Sequence, residues 1–217
     1  MRTRRALPSR RAVLGAGVLT TIGCTPTPTQ EDPVSSTTRR GSGRVLMAYF
    51  SRAGENYYYY GGRRDLEVGN TAVVAETIAR FADVDLHEMR AAEPYPHDYD
   101  ATVQRNTREQ DTDARPRISG ALPDLSGYDI VLLGSGIWSV HVPMIMRTFV
   151  EAVDLSGRTV HPVVTHAVSG IGQAEGDYRE LLPGADLGES LVVQGEEVGT
   201  AEPQIRAWLR RTGLADG

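Results

Sequence analysis

Three short stretches of the sequence hold residue types able to do chemistry. The first is Ser51-Arg52-Ala53-Gly54, answered further on by Gly69-Asn70-Thr71. Small residues let consecutive backbone N–H groups converge on one concavity, which is how a phosphate is held without a metal. Ser51 and Thr71 add hydroxyls, and a helix opening at Thr71 aims its positive end at the same point. An ordinary strand-to-helix turn would carry the same residues. The second stretch runs Gly134-Ser135-Gly136-Ile137-Trp138-Ser139-Val140-His141-Val142-Pro143. Glycine there lets the backbone approach a flat ring, to which Ile137 and Trp138 offer apolar and aromatic contact. A core or interface role is the alternative for Trp138. The third stretch is Thr165-His166-Ala167-Val168-Ser169-Gly170-Ile171-Gly172. Its small residues again free backbone amides, and His166 can bond a ligand, deliver a proton or simply cap a strand end.

The elements that must position these stretches are legible as alternating patterns. Val45–Phe50 is an unbroken apolar run bounded by Gly and Ser, as a buried parallel strand requires. Further strands are expected at 84–89, 128–134, 159–165 and 190–194. Helices are expected from Asn70-Thr71, where Val74, Ile78 and Phe81 recur at helical spacing, and near 143–153, 178–182 and 203–211. A long polar segment separates the second and third strands. Five strands divided by helices make a doubly wound parallel sheet, whose ligands bind beyond the carboxyl ends of the strands. The three stretches follow the first, third and fourth strands and so fall at that end.

With the residues in place, a resemblance emerges. Ser51-Arg52-Ala53-Gly54 followed by Gly69-Asn70-Thr71 resembles the flavodoxin phosphate loop, here split by about fifteen residues, Glu55 to Gly69. The stretch around Trp138 resembles the flavodoxin segment in which a Trp precedes a Pro and a helix, with Gly136 where many relatives carry Pro. The third stretch is similar to the family's third loop. Glu93-Pro94-Tyr95-Pro96 and Arg115-Pro116 are similar to the split-loop branch, with no chemistry attached. The resemblance implies a five-stranded flavodoxin-like sheet in the order 2-1-3-4-5 that holds FMN. Ser51, Arg52, Gly54, Asn70 and Thr71 would take its phosphate. Ser135, Gly136, Ile137 and Trp138 would take the isoalloxazine. Thr165, His166, Ser169 and Gly170 would border its outer edge, with His166 the one candidate proton donor. The insertion carries Tyr57-Tyr58-Tyr59-Tyr60, read as a lid over the flavin, a docking surface, or a β-hairpin patching the domain edge.

Residues 1–23 read as an address. A basic start, the pair Arg10-Arg11 and a modest apolar stretch ending at Gly23-Cys24 resemble a twin-arginine export signal closed by a lipobox, with Cys24 as the lipidation site. Residues 24–43, rich in Thr, Pro, Ser and Gly, read as a flexible tether. The flavodoxin-like FMN-binding domain is then 44–217. The expected location is the outer face of the cell membrane, held by the lipid alone, or else secreted or periplasmic.

The chain has 23 basic and 28 acidic residues, and residues 1–23 contribute five arginines and no acid. What remains is acidic, which argues against nucleic acid and suits either a positively charged protein partner or a plainly solvated surface. One Cys excludes an intramolecular disulfide and a Cys-rich cluster. His87, His97, His141 and His161 lack metal-ligand spacing, and Asp98, Asp100, Glu109, Asp111 and Asp113 read as a solvated helix surface. Three functions remain: a redox carrier exchanging electrons with a protein partner, an FMN-dependent NAD(P)H:quinone or small-molecule reductase, and a flavin-free binding module.

Overall fold

A computed structural model describes residues 43–215. The expected export signal, the expected lipidation site Cys24 and the expected tether up to residue 42 lie outside the described residues. The strands are β1 (Val45–Phe50), β2 (Gly54–Tyr57), β3 (Arg63–Leu66), β4 (Val84–Met89), β5 (Ile130–Gly136), β6 (Thr159–His166), β7 (Asp186–Leu187) and β8 (Leu191–Gln194). The helices are α1 (Asn70–Phe81), α2 (Tyr99–Asp111), α3 (Met144–Ala152), α4 (Ala174–Leu181) and α5 (Glu202–Arg211). β4, β1, β5 and β6 lie side by side and pair in parallel, and β7 and β8 share the lane beyond β6. This is the expected order 2-1-3-4-5.

Alternation along β1 shows why the sheet is covered on both faces. All six of its residues are buried. Leu46, Ala48 and Phe50 join a core with Phe149 of α3 and Tyr178 of α4. Val45, Met47 and Tyr49 join another with Ile78 of α1 and Trp208 of α5. A one-residue slip would exchange these faces, so packing fixes the register. α1 buries Thr71, Val74, Ala75 and Ile78, the i, i+3, i+4, i+7 stripe of a helix lying on a sheet. Each large apolar side chain buried this way stabilises the fold by about 1.5–3 kcal/mol.

Three details depart from the sequence reading. β5 begins two residues late because Tyr128 closes a turn onto the Leu125 carbonyl, and it continues through Ser135 and Gly136, which pair with Val164 and Thr165. The last lane is broken between β7 and β8, where the Glu189 carbonyl accepts from His161 Nδ1 (2.9 Å) and Trp208 Nε1 (3.1 Å). The polar segment holds α2, whose Asp98 caps it by accepting from the Ala101 N–H at 2.7 Å. Its acidic stretch is not uniformly solvated. Glu109 is buried, accepting from Arg105 Nε (2.7 Å) and the Tyr95 hydroxyl (2.8 Å).

Candidate functional site

The insertion folds outward as an antiparallel hairpin, with Gly54 opposite Leu66 and Tyr57 opposite Arg63. Its ends are thereby drawn together, and the two halves of the split loop meet. Ser51 Oγ accepts a 3.1 Å hydrogen bond from the Ala72 N–H in the first turn of α1. Gly69 makes this approach possible, since a Cβ there would lie 2.6 Å from the Arg52 carbonyl oxygen and closer still to Ser51 Oγ. The first turn leaves the N–H groups of Asn70 and Thr71 without intrahelical acceptors, the arrangement that attracts an anion. The Thr71 and Thr165 hydroxyls share a buried 2.9 Å hydrogen bond, which ties this end to the third loop.

Beside it opens a cleft of about 300 Å³. The second and third loops line it through Gly136, Ile137, Trp138, Thr165, His166 and Ser169. The hairpin adds Asn56 and Tyr57, and α2 adds Tyr99, Thr102, Val103 and Asn106. The Tyr57 and Tyr99 rings lie 6.4 Å apart. The hairpin is fastened to the start of α2 by the Glu55 N–H on the His97 carbonyl (2.9 Å), the Tyr99 N–H on Glu55 (3.2 Å) and the Arg63–Asp100 pair (2.6 Å). Its tip is held on the other side by the Tyr59 N–H donating to Glu196 at 2.7 Å. Of the readings offered for the tyrosine run, the hairpin is observed; Tyr57, Tyr59 and Tyr60 are all exposed, and Tyr57 lines the cleft.

Trp138 is braced from several directions. Its ring meets Tyr95 edge-on at 4.9 Å and Phe50 at 5.5 Å, and its carbonyl accepts from Gln110 Nε2 at 3.2 Å. Tyr95 is held in turn by Glu109, and Arg105 stacks 3.9 Å from the Tyr95 ring centre while donating to the Glu93 and Pro94 carbonyls. Burial and the Glu109 carboxylate push the Tyr95 hydroxyl well above the ordinary tyrosine range. The Glu93-Pro94-Tyr95-Pro96 segment thus acquires a physical role as the support behind Trp138, which is both a core aromatic and a cleft wall. Beyond Trp138 the chain makes a two-residue turn in which Ser139 (φ 49°) and Val140 (φ 66°) are both left-handed. A β-branched residue is strained there. The Val140 carbonyl is fixed by the Gln173 N–H at 2.6 Å, and Gly172 (φ +55°) leaves room for it.

The expected site residues are thus distributed unevenly. Ser51, Asn70 and Thr71 gather where β1 leads into α1, next to the cleft but not in its lining. Arg52 lines the cleft, but its guanidinium donates to the Pro96 (3.0 Å), His97 (3.1 Å) and Glu55 carbonyls, and burial holds its pKa below the ordinary arginine value. Gly54 opens the hairpin at φ +89° against His97, and Gly170 turns at φ +56° just past Ser169. Ser135 does not reach the cleft: it is 1% exposed within β5, on the side of Tyr178. The wall from α2 was missed. Its spacing, 99, 102, 103 and 106, is helical, but a stripe with one aliphatic residue gives no hydrophobic signal.

A family model for flavodoxin matches residues 66–212. Among solved structures, a protein assigned as a flavoprotein from Bacteroides uniformis is 27% identical, with 78% of this chain and 99% of that one covered and a TM-score of 0.64. One from Bacteroides eggerthii is 28% identical, with 79% and 98% covered and a TM-score of 0.63. A Lactobacillus acidophilus flavoprotein in complex with FMN shares the fold at 19% identity, with 72% and 97% covered and a TM-score of 0.53. No curated protein matches the chain.

Proposed function

Because the chain belongs to the flavodoxin family, we propose that it binds FMN and serves as a redox carrier at the cell envelope. The observation that carries this reading is the reunited split loop, in which Ser51 Oγ meets the first turn of α1 beside an aromatic-lined cleft. FMN bound there supplies one- and two-electron chemistry. The residues present fit it: a cradle at Ser51, Gly69 and Thr71 for phosphate, and Trp138, Ile137 and Tyr99 for a flat ring. Two buried polar atoms in cleft-lining residues, Asn106 Oδ1 and His166 Nδ1, also lack a partner among the described residues. Trp138 orients the ring and excludes water from it, and His166 supplies or receives a proton at Nδ1.

The arginine pair Arg10-Arg11 and the single Cys24 support export and attachment at the outer face of the membrane. The acidic balance of the chain beyond residue 23 supports a basic electron-transfer partner. A second reading, an NAD(P)H:quinone or small-molecule reductase, is favoured by Tyr57 and Tyr99, which widen the aromatic lining available to a second planar ligand. Steady-state turnover of NAD(P)H with a quinone decides between them. A reversible flavin couple with negligible turnover supports the carrier, and substrate-saturable turnover supports the reductase.

A further inference from the structure

We propose that Asn106 of α2 is a specificity-determining residue whose carboxamide reads the imide edge of the flavin ring; this rests on the FMN reading above. Asn106 is 2% exposed and lines the cleft. Its carboxamide makes a single hydrogen bond, from Nδ2 to Ser139 Oγ at 3.2 Å, and Oδ1 has no partner among the described residues. A serine hydroxyl can donate or accept, so turning the amide over exchanges which atom is left short and satisfies neither edge fully.

Such a group is costly in the empty protein. A buried polar atom without a partner destabilises by about 1–3 kcal/mol, and most buried polar atoms in native proteins are bonded. Leucine shares the branched outline of Asn106, though it is larger, and would carry no such unpaired polar atom. The cost is recovered if the cleft's occupant brings polar atoms to this wall. A second orphan supports this: His166, at the end of β6, lines the same cleft, and its Nδ1 is also buried and without a partner among the described residues. The occupant therefore has hydrogen-bonding atoms on its rim and is not a plain hydrocarbon ring.

The chemistry of the amide selects the ligand class. A carboxamide sets an acceptor and a donor side by side, matching a ring N–H flanked by a carbonyl. The flavin pyrimidine ring presents that edge. The terminal torsion of Asn is soft, so the free edge turns to the cleft without disturbing α2. The tie to Ser139 and the Gln110 bond to the Trp138 carbonyl one turn on keep this reader in register with the aromatic wall.

The test compares FMN with FMN methylated at the imide nitrogen, on the full chain, by fluorescence titration, alongside thermal melting without flavin. Wild type is expected to bind FMN about tenfold more tightly than the methylated form, the worth of one hydrogen bond. Asn106→Leu is expected to bind both equally, while its flavin-free form melts no lower than wild type. If Asn106→Leu folds poorly, Asn106→Ser asks the same question with a smaller side chain. The proposal is overturned if the Asn106 variants discriminate as wild type does, or if wild type binds both forms equally. Wild type that binds neither form overturns the FMN reading as well.

Discussion

Ser51 and Ala72 stand 21 positions apart, yet the Ser51 hydroxyl accepts a 3.1 Å hydrogen bond from the Ala72 amide. This contact joins two sequence fragments at the start of α1, where the proposed phosphate cradle lies. The hairpin between them adds a cleft wall without disturbing the join, because its first ladder pair, Gly54 and Leu66, holds the two ends together.

Removal of that hydroxyl is the first test. Ser51→Ala is expected to weaken FMN binding about tenfold and to lower stability by about 1 kcal/mol, since it deletes a helix-end cap as well as a ligand contact. Fluorescence titration and urea unfolding read the two effects separately.

The Tyr59–Glu196 bond secures the hairpin tip on its far side. Glu196→Ala is expected to speed FMN dissociation about fivefold, the equivalent of roughly 1 kcal/mol for an exposed charge-assisted bond. Stopped-flow displacement of FMN by excess apoprotein of a tighter-binding flavoprotein measures it, and the unfolding midpoint should barely move.

Val140 is a position where sequence and backbone disagree. Its φ of 66° in a two-residue turn suits glycine or asparagine and strains a β-branched side chain. Val140→Gly is expected to raise stability by about 1 kcal/mol, read as a higher melting temperature.

Arg105 and Glu109, with side chains 14% and 10% exposed, form a buried pair behind Trp138. Glu109→Ala leaves the Arg105 charge and the Tyr95 hydroxyl without this acceptor and is expected to cost about 3–5 kcal/mol. Chemical denaturation measures the loss, and a shift in tryptophan emission is expected to accompany it.

Burial raises the pKa of Tyr49, Tyr95 and Tyr178 in the folded chain. A group whose folded pKa exceeds its unfolded value holds its proton longer in the native state. Stability is therefore intact below about pH 10, the ordinary tyrosine value, and declines as pH rises beyond it. Denaturant midpoints taken across this range are expected to fall, and Tyr95→Phe should flatten the decline.

How much of this was legible beforehand depended on whether burial was apolar. β1 announced itself because both faces of the sheet bury its residues, and α1 because Val74 and Ile78 repeat at helical spacing. The buried residues of α2 are Thr102, Asn106 and Glu109, all polar, so no hydrophobic period marks the helix that walls the cleft. Ser135 reads as loop because Gly134 reads as a strand end. In the fold Gly134 stays paired with Val163, where a Cβ would come within 2.8 Å of Tyr49, and Ser135 turns into the core.

Titration of the flavin-free full chain with FMN shows whether this cleft holds the cofactor. Saturation at one FMN per chain is expected, with a shifted flavin absorption band and quenching of both flavin and Trp138 fluorescence. A chain that stays folded by circular dichroism yet changes neither spectrum at millimolar FMN would contradict it.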